Sequence, residues 1–179
     1  MKERSNKTYK QIFSENIYGI DVQGYAIERT KILLSLLALS MGEDDEFSYN
    51  LWSANTLNFN FQEKFRPYHG FDIIIGNPPY VCSRNLPQET KEIIKKWSVC
   101  STGHPDLYIP FFQVAIENLS SNGVMGYITM NSFLKSVNGR ALREYFNTLH
   151  KLIHIIDFRG RQIFQSKNTY TCLFFAENK

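Results

Sequence analysis

The chain has 179 residues, of which 43% are hydrophobic and 15% aromatic, so it is long and apolar enough to fold as one domain with a core. Its formal net charge of +3 is only mildly basic, which excludes DNA binding by bulk charge and leaves local basic clusters. Three cysteines without close pairing and four scattered histidines argue against a zinc site or a disulfide framework.

The first residues are polar and charged, without the apolar run of a signal peptide, and no apolar stretch is long enough to span a membrane. We therefore expect a cytoplasmic protein with no membrane partner. Residues 1–15 are typical of the end of a helix. Residues 16–21 predict a short strand ending in Asp21, and apolar residues at helical spacing predict a helix over about 25–39.

Ligands bind in the crevice outside the carboxyl ends of strands in open α/β sheets, so Asp21 is a candidate binding residue. A turn or N-cap role for Asp21 stays open, and the two roles are compatible. Further along the chain, residues 51–57 predict the next strand segment, which contains Asn55.

The segment 71–80, Phe-Asp-Ile-Ile-Ile-Gly-Asn-Pro-Pro-Tyr, carries the strongest functional signal. Three consecutive isoleucines predict a central strand covered on both faces. Pro78 and Pro79 cannot donate to a ladder and hold Asn77 extended, so the chain leaves the sheet there. The Asn77 side-chain oxygen and the Pro78 carbonyl then form a rigid pair of acceptors beside the Tyr80 ring. The alternative is an ordinary strand exit with two prolines.

Two acceptors beside an aromatic ring suit a planar amine attached to a heterocycle. Adenine's exocyclic nitrogen is a poor nucleophile because its lone pair is delocalised, and two preorganised acceptors can draw it towards a tetrahedral state. Its amine is paired inside a duplex, so the base must first be flipped out and stacked on Tyr80.

Downstream, the pattern predicts helices over about 104–119, with a proline in the first turn, and 139–149. It predicts strands over 123–130, 152–158 and 169–175, the first of them after an Asn-Gly turn. A basic loop, 159–168, contains Phe164 as its one aromatic side chain. The candidates for local phosphate contacts are Lys91, Lys95, Lys96, Arg140, Arg143, Arg159, Arg161 and Lys167.

With this turn and these segments in this order, the chain resembles the catalytic half of the adenine-N6 DNA methyltransferases of bacterial restriction–modification systems, in the group that includes fused restriction–methylation enzymes. The resemblance extends from about Asn16 to the C-terminus. It implies an α/β fold with a doubly wound, mostly parallel sheet of the S-adenosylmethionine-dependent methyltransferase type. It further implies S-adenosylmethionine as cofactor and double-stranded DNA as partner.

The resemblance also implies a role for each candidate residue. The catalytic turn comprises Asn77, Pro78, Pro79 and Tyr80, and no metal is expected. Tyr80 and Phe164 would sandwich the flipped adenine, with Tyr170 as the alternative to Phe164. The cofactor would be held by Asp21, Asn55 and Phe111, where Asn55 stands in place of the family's usual Asp and Phe112 competes with Phe111.

No strand with a Gly-rich turn precedes Asp21, although such folds normally begin with one. We therefore expect a sheet that lacks its first strand, and residues 1–179 as a partial methyltransferase catalytic domain without a separate target-recognition or nuclease domain. The isolated chain is expected to be inactive, and its further partners would be the rest of a parent enzyme or a specificity subunit. Two alternatives stay open: a methyltransferase for protein glutamine amides, and a non-catalytic DNA-binding or assembly remnant.

Overall fold

The computed structural model describes residues 6–65, 67–149, 152–159 and 170–178. The chain divides into two compact units, Met1–Phe59 and Asn60–Lys179. The helices are α1 (Tyr9–Glu15), α2 (Gly24–Ser40), α3 (Phe61–Lys64), α4 (Gln88–Ile94), α5 (Ile109–Glu117) and α6 (Arg140–Thr148). The strands are β1 (Tyr18–Asp21), β2 (Asn50–Ser53), β3 (Phe71–Gly76), β4 (Leu119–Met130), β5 (Leu152–Asp157) and β6 (Thr171–Glu177).

The first unit contains a parallel two-stranded sheet and the helices α1 and α2. β1 pairs with β2 so that Asp21 lies opposite Ser53. A capping box starts α1, because Thr8 and Gln11 each accept a hydrogen bond from the other's backbone N–H. Buried Ile12 and Phe13 form the small core of this unit together with residues of α2 and the segment that follows it. The predicted helix end, first strand and second helix are confirmed.

The second unit is built on a four-stranded sheet with the order β3–β4–β6–β5. β3 runs parallel to β4, whereas β6 is antiparallel to both β4 and β5. The carboxyl ends of β3, β4 and β5 therefore lie at one edge of the sheet. Phe112 of α5 and Phe146 of α6 both pack against Phe174 of β6, with ring centroids 4.8 and 5.0 Å away, so these helices cover one face.

β3 is not the covered central strand that its isoleucines predict. It is an edge strand of its sheet, and Ile73 and Ile75 are 71% and 79% exposed. The prediction is wrong for a physical reason. Isoleucine runs indicate a strand built to be covered on both faces, but the described part of the chain supplies no strand along the free edge and no layer over Ile73 and Ile75.

Three element boundaries also differ from the prediction. The helix expected from residue 104 begins at Ile109, with Pro110 in its first turn as predicted. β4 begins at Leu119 and passes through Asn122, whose φ is 65°, so the Asn-Gly pair is an irregularity inside the strand instead of a turn before it. β2 ends at Ser53, since a 3₁₀ turn over Thr56–Asn58 follows.

The described strands form the α/β, doubly wound class that the sequence predicts. The ladders are mixed, two parallel and two antiparallel, where a mostly parallel sheet was expected. The described strands form two sheets, one of two strands and one of four. Among the described helices, none has the length and apolar character needed to cross a membrane.

Candidate active site

The 77–80 turn follows β3 directly and lies at the carboxyl edge of the four-stranded sheet. Pro78 is buried, while Asn77 and Pro79 are exposed. No other described residue hydrogen-bonds the side-chain amide of Asn77. Its oxygen is therefore available to accept a hydrogen bond from a ligand.

Tyr80 is held in place by its own hydroxyl group. The hydroxyl donates to the backbone carbonyl of Ile128 on β4 at 3.1 Å, and the side chain is half-buried. Burial raises the pKa of Tyr80 to about 12, so the phenol stays protonated and keeps donating at neutral pH. An anchored, partly exposed ring at the edge of the sheet is suited to stacking on a planar ligand.

The chain after Tyr80 is tied to the segment that leads into α5. The Val81 carbonyl accepts from the Leu107 N–H at 2.9 Å, and the Asp106 carboxylate accepts from the Ser83 N–H at 3.0 Å. Asp106 is not among the residues predicted from the sequence. An Asp after a proline and just ahead of a helix was the available signal, because such residues often bond nearby backbone groups.

The structure separates the neighbouring candidates Phe111 and Phe112. Phe112 is 0% exposed, and its ring contacts the rings of Tyr108, Phe133 and Phe174, so it belongs to the core. Phe111 is only partly buried, and its carbonyl accepts from the Tyr127 hydroxyl at 3.3 Å. Part of the Phe111 side chain is therefore accessible to solvent, whereas the Phe112 side chain is not.

Asp21 and Asn55 lie at the carboxyl ends of β1 and β2 in the first unit, and both are exposed. The Ala54 N–H donates to the Asp21 carbonyl at 3.0 Å, which joins the two strand exits. One carboxylate oxygen of Asp21 accepts from the Gln23 N–H at 2.7 Å, so the turn role left open for it is present. The Asn55 side-chain oxygen accepts from the Leu57 N–H at 3.0 Å and caps the 3₁₀ turn.

A second polar cluster lies at the ends of β4 and β5. The Asn131 amide donates to Asp157 at 2.8 Å, and the Arg159 N–H donates to the same carboxylate oxygen at 2.9 Å. These bonds lower the pKa of Asp157, the Asn131 bond most. The exposed Tyr170 lies at the same edge, and its carbonyl accepts from the Asn131 N–H. Phe164, which is predicted to stack on the flipped adenine opposite Tyr80, lies outside the described residues.

The candidate phosphate contacts differ in availability. Arg143 donates to the backbone carbonyls of Phe133 and Ser136, which gives it a structural role instead. Lys95 pairs with Glu92 at 2.8 Å. The candidates with exposed side chains are Lys95, Lys96, Arg140 and Arg159. Arg161 and Lys167 are outside the described residues, and within the described ones no cluster of three or more His, Cys, Asp or Glu could hold a metal ion.

Comparison with known sequences finds a match to one family and to several individual proteins. The family described as Eco57I restriction-modification methylase matches residues 15–164. The type II restriction enzyme and methyltransferase RM.Eco57I of Escherichia coli is 35% identical over 211 residues, which covers 100% of this chain and 21% of that protein. The type II methyltransferase M.BstVI of Geobacillus stearothermophilus is 29% identical, covering 73% and 23%. The chain thus spans about a fifth of the length of these relatives.

Solved structures show the same fold at lower sequence identity. A nuclease-deletion mutant of the Type ISP restriction-modification enzyme LlaGI, in complex with a DNA substrate mimic, superposes with a TM-score of 0.71 at 17% identity, covering 99% of this chain and 21% of that one. The DrdV–DNA complex gives 0.73 at 17% identity, covering 94% and 21%. A Listeria monocytogenes protein assigned to the class I S-adenosylmethionine-dependent methyltransferases gives 0.65 at 15% identity, covering 90% and 44%.

Proposed function

The chain belongs to the Eco57I restriction-modification methylase family, and from this premise we propose that it supplies the catalytic turn of a DNA methyltransferase. The reaction transfers a methyl group to the exocyclic N6 of a flipped-out adenine, as part of a restriction–modification system. Residues 1–179 are then a part of the catalytic domain of a larger enzyme, the complete methyltransferase.

The observation that carries this proposal is the state of Asn77. Its side chain is exposed and has no partner among the described residues, although it directly follows a strand and precedes the buried Pro78. An unused amide oxygen in a rigid turn is preorganised for a donor that arrives with the substrate. Asn77 Oδ1 and the Pro78 carbonyl each accept one N–H of the amine. The nitrogen lone pair thereby leaves conjugation, and the positive charge that develops on nitrogen is stabilised.

Tyr80 takes the second role, which is to hold the flipped base. Its hydroxyl is committed to the Ile128 carbonyl, so its contribution to the base is the face of the ring. Stacking of this kind contributes about 1–3 kcal/mol per base. Phe164 is proposed as the aromatic ring that stacks on the other face of the base, and the exposed Tyr170 stays the alternative to it.

The cofactor proposal rests on the donor and acceptor groups that remain available. S-adenosylmethionine, when bound, supplies the methyl group. Asp21 is exposed and uses one carboxylate oxygen in its turn, which leaves the other to accept from the ribose hydroxyls. Asn55 Oδ1 keeps a second lone pair for the adenine amine, and the accessible ring of Phe111 covers the adenine. These residues carry the kinds of group that can bind S-adenosylmethionine, namely two acceptors and an aromatic ring. Asn55 is uncharged, although the family usually has a charged Asp at this position.

DNA is supported as the binding partner by the names of the relatives and by exposed basic residues on the surface. The relatives are named as type II methyltransferases, one of them also as a restriction enzyme, and of two solved structures with the same fold one contains DNA and the other a DNA substrate mimic. Lys96 and Arg140 provide exposed charges for phosphates. We propose double-stranded DNA as the substrate, with a specificity subunit or the rest of the enzyme selecting the sequence.

The test is the identity of the methylated product. The complete methyltransferase is incubated with S-adenosylmethionine labelled in its methyl group and with duplex DNA, which is then digested to nucleosides and separated by chromatography with mass detection. The expected product is N6-methyl-2′-deoxyadenosine. Methylated cytosine would overturn the adenine specificity, and label in the glutamine side chains of a protein fraction would overturn DNA as the substrate.

A further inference from the structure

The exit of the 77–80 turn is held from one side by the segment ahead of α5. Val81 closes a tight turn around Tyr80, because its N–H donates to the Pro79 carbonyl at 3.0 Å. The Val81 carbonyl then accepts from Leu107, and the Ser83 N–H donates to the Asp106 carboxylate. Two hydrogen bonds, one through a charged acceptor, therefore join the turn to residues 106 and 107.

Asp106 itself stands on a rigid base. Its carbonyl accepts from the Ile109 N–H at 3.1 Å at the start of α5. The next residues, Tyr108, Ile109 and Pro110, are fully buried, and the Tyr108 hydroxyl bonds the Ser132 hydroxyl at 2.9 Å. Because Asp106 is part of this packed segment, its carboxylate has a fixed position relative to the core. The Ser83 N–H that donates to the carboxylate is therefore held relative to the core as well.

The other end of the same segment is fixed as well. The His104 N–H donates to Asn138 Oδ1 at 3.0 Å, and the Thr102 hydroxyl donates to the Val137 carbonyl at 3.3 Å. Gly103 has a φ of +64°, and a Cβ there would lie 2.4 Å from Asn138 Oδ1. The segment is therefore anchored on both sides of Asp106.

We propose that Asp106 is a positioning residue for the 77–80 turn, an inference that rests on the proposed function of that turn. The prolines restrict residues 77–79, but Tyr80 and the residues after it have no such restriction. The bond from Ser83 to Asp106 fixes the path of this stretch. The Tyr80 hydroxyl is already bonded to Ile128, and the bond from Ser83 adds a second restraint on the Tyr80 ring and on the direction of the Pro78 carbonyl relative to the base. A misplacement of about 1 Å at a reacting group costs about a hundredfold in rate.

Three variants of the complete methyltransferase isolate this bond. Asp106→Ala removes the acceptor, and Asp106→Asn keeps an oxygen that can accept from Ser83. Ser83→Pro removes the donor and leaves the carboxylate. Proline is compatible with the first position of the Ser83–Asn85 3₁₀ turn, because Cys82 before it is extended, with ψ of 139°. If Asp106→Ala does not fold, Ser83→Pro still tests the bond.

The expected result is a loss confined to turnover. Asp106→Ala and Ser83→Pro each lower kcat by about ten- to a hundredfold, with KM for DNA changed by less than about threefold. Asp106→Asn retains kcat within about fivefold of the unmodified enzyme, since its amide oxygen replaces the acceptor. The double variant Asp106→Ala with Ser83→Pro loses no more than either single variant, because both break the same bond.

Asp72→Ala is the matched control, because Asp72 also accepts one hydrogen bond, from the Ser120 hydroxyl at 2.9 Å, at the opposite end of β3. Its kcat is expected to stay within about twofold of the unmodified value. The inference is overturned if Asp106→Ala or Ser83→Pro keeps near-normal kcat while Asn77→Ala loses about a hundredfold. Losses that add in the double variant, or an Asp106→Asn as slow as Asp106→Ala, also overturn it. If Asn77→Ala itself is fully active, the proposed function of the turn fails.

Discussion

The core under α5 and the turn after β3 lie in the same unit but are built in opposite ways. Under α5, Phe112 contacts five other aromatic rings, and Phe174 beside it is completely buried. In the turn, Asn77 is exposed and has no partner among the described residues. The aromatic side chains of the core pack against one another inside the protein. The side-chain amide of Asn77, in contrast, has no partner among the described residues.

This difference teaches which property each region controls. A substitution in the core removes contacts that exist in the free protein, so it lowers the free energy of unfolding. On the proposed function, a substitution of Asn77 should remove contacts that form only with substrate, so it should lower the rate and leave the fold unchanged. Tyr80 belongs to both regions, because its hydroxyl bonds β4 and its ring remains partly exposed.

The largest effect is expected for Phe112→Ala, which should lower the free energy of unfolding by about 3–5 kcal/mol, the usual cost of removing a buried phenyl ring. Phe111→Ala, at the preceding residue, should cost much less because that ring is only partly buried. Urea unfolding of both variants followed by circular dichroism measures the difference. Equal losses would mean that the core extends around Phe111 and that its ring is not free for a ligand.

Asn77→Ala should lower methyl transfer by the complete enzyme at least about a hundredfold, the usual cost of one preorganised hydrogen bond to a reacting group. Asn77→Asp should be milder, since a carboxylate still accepts. The stability of both should stay within about 0.5 kcal/mol, because the side chain is exposed. Single-turnover kinetics and urea unfolding are the two measurements. A variant with normal turnover would remove Asn77 from the chemistry.

Two substitutions of Tyr80 should separate its ring from its hydroxyl. Tyr80→Ala should weaken binding of a duplex with an extrahelical adenine by about 1–3 kcal/mol more than binding of a paired duplex. Tyr80→Phe keeps the ring and should lose only about 1 kcal/mol of stability, through the bond to Ile128. Fluorescence of 2-aminopurine at the target position reports stacking. If Tyr80→Ala weakens both duplexes equally, the ring supports the fold and does not bind the base.

The smallest effect concerns acid stability. The pKa of Asp157 is lowered, first by the bond from Asn131, so its charged form contributes stability above the unfolded pKa of about 3.9 and loses it as the pH falls through the folded value. Asp157→Asn removes this titration. The stability difference between the two proteins should therefore be present near pH 6 and shrink below about pH 4, measured by urea unfolding across that range. A difference independent of pH would contradict the assignment.

Much of this arrangement could be predicted from short-range patterns in the sequence. The apolar spacing of residues 25–39 predicted α2, and two prolines after an apolar run predicted that the chain leaves the sheet at Asn77. Both depend on local chemistry, namely helical periodicity and the missing N–H of proline. The same local chemistry could not indicate that Ile73 and Ile75 are exposed, since exposure depends on which other segments pack nearby.

By itself the sequence determined the fold class, the order of its elements and the residues of the 77–80 turn. The tertiary structure alone decided that Phe112 is core and Phe111 accessible, that Arg143 bonds backbone carbonyls, and that Asp106 bonds Ser83. The partners in that last pair are 23 residues apart. Their meeting depends on how α5 packs on the sheet, and no periodicity in the chain carries that information.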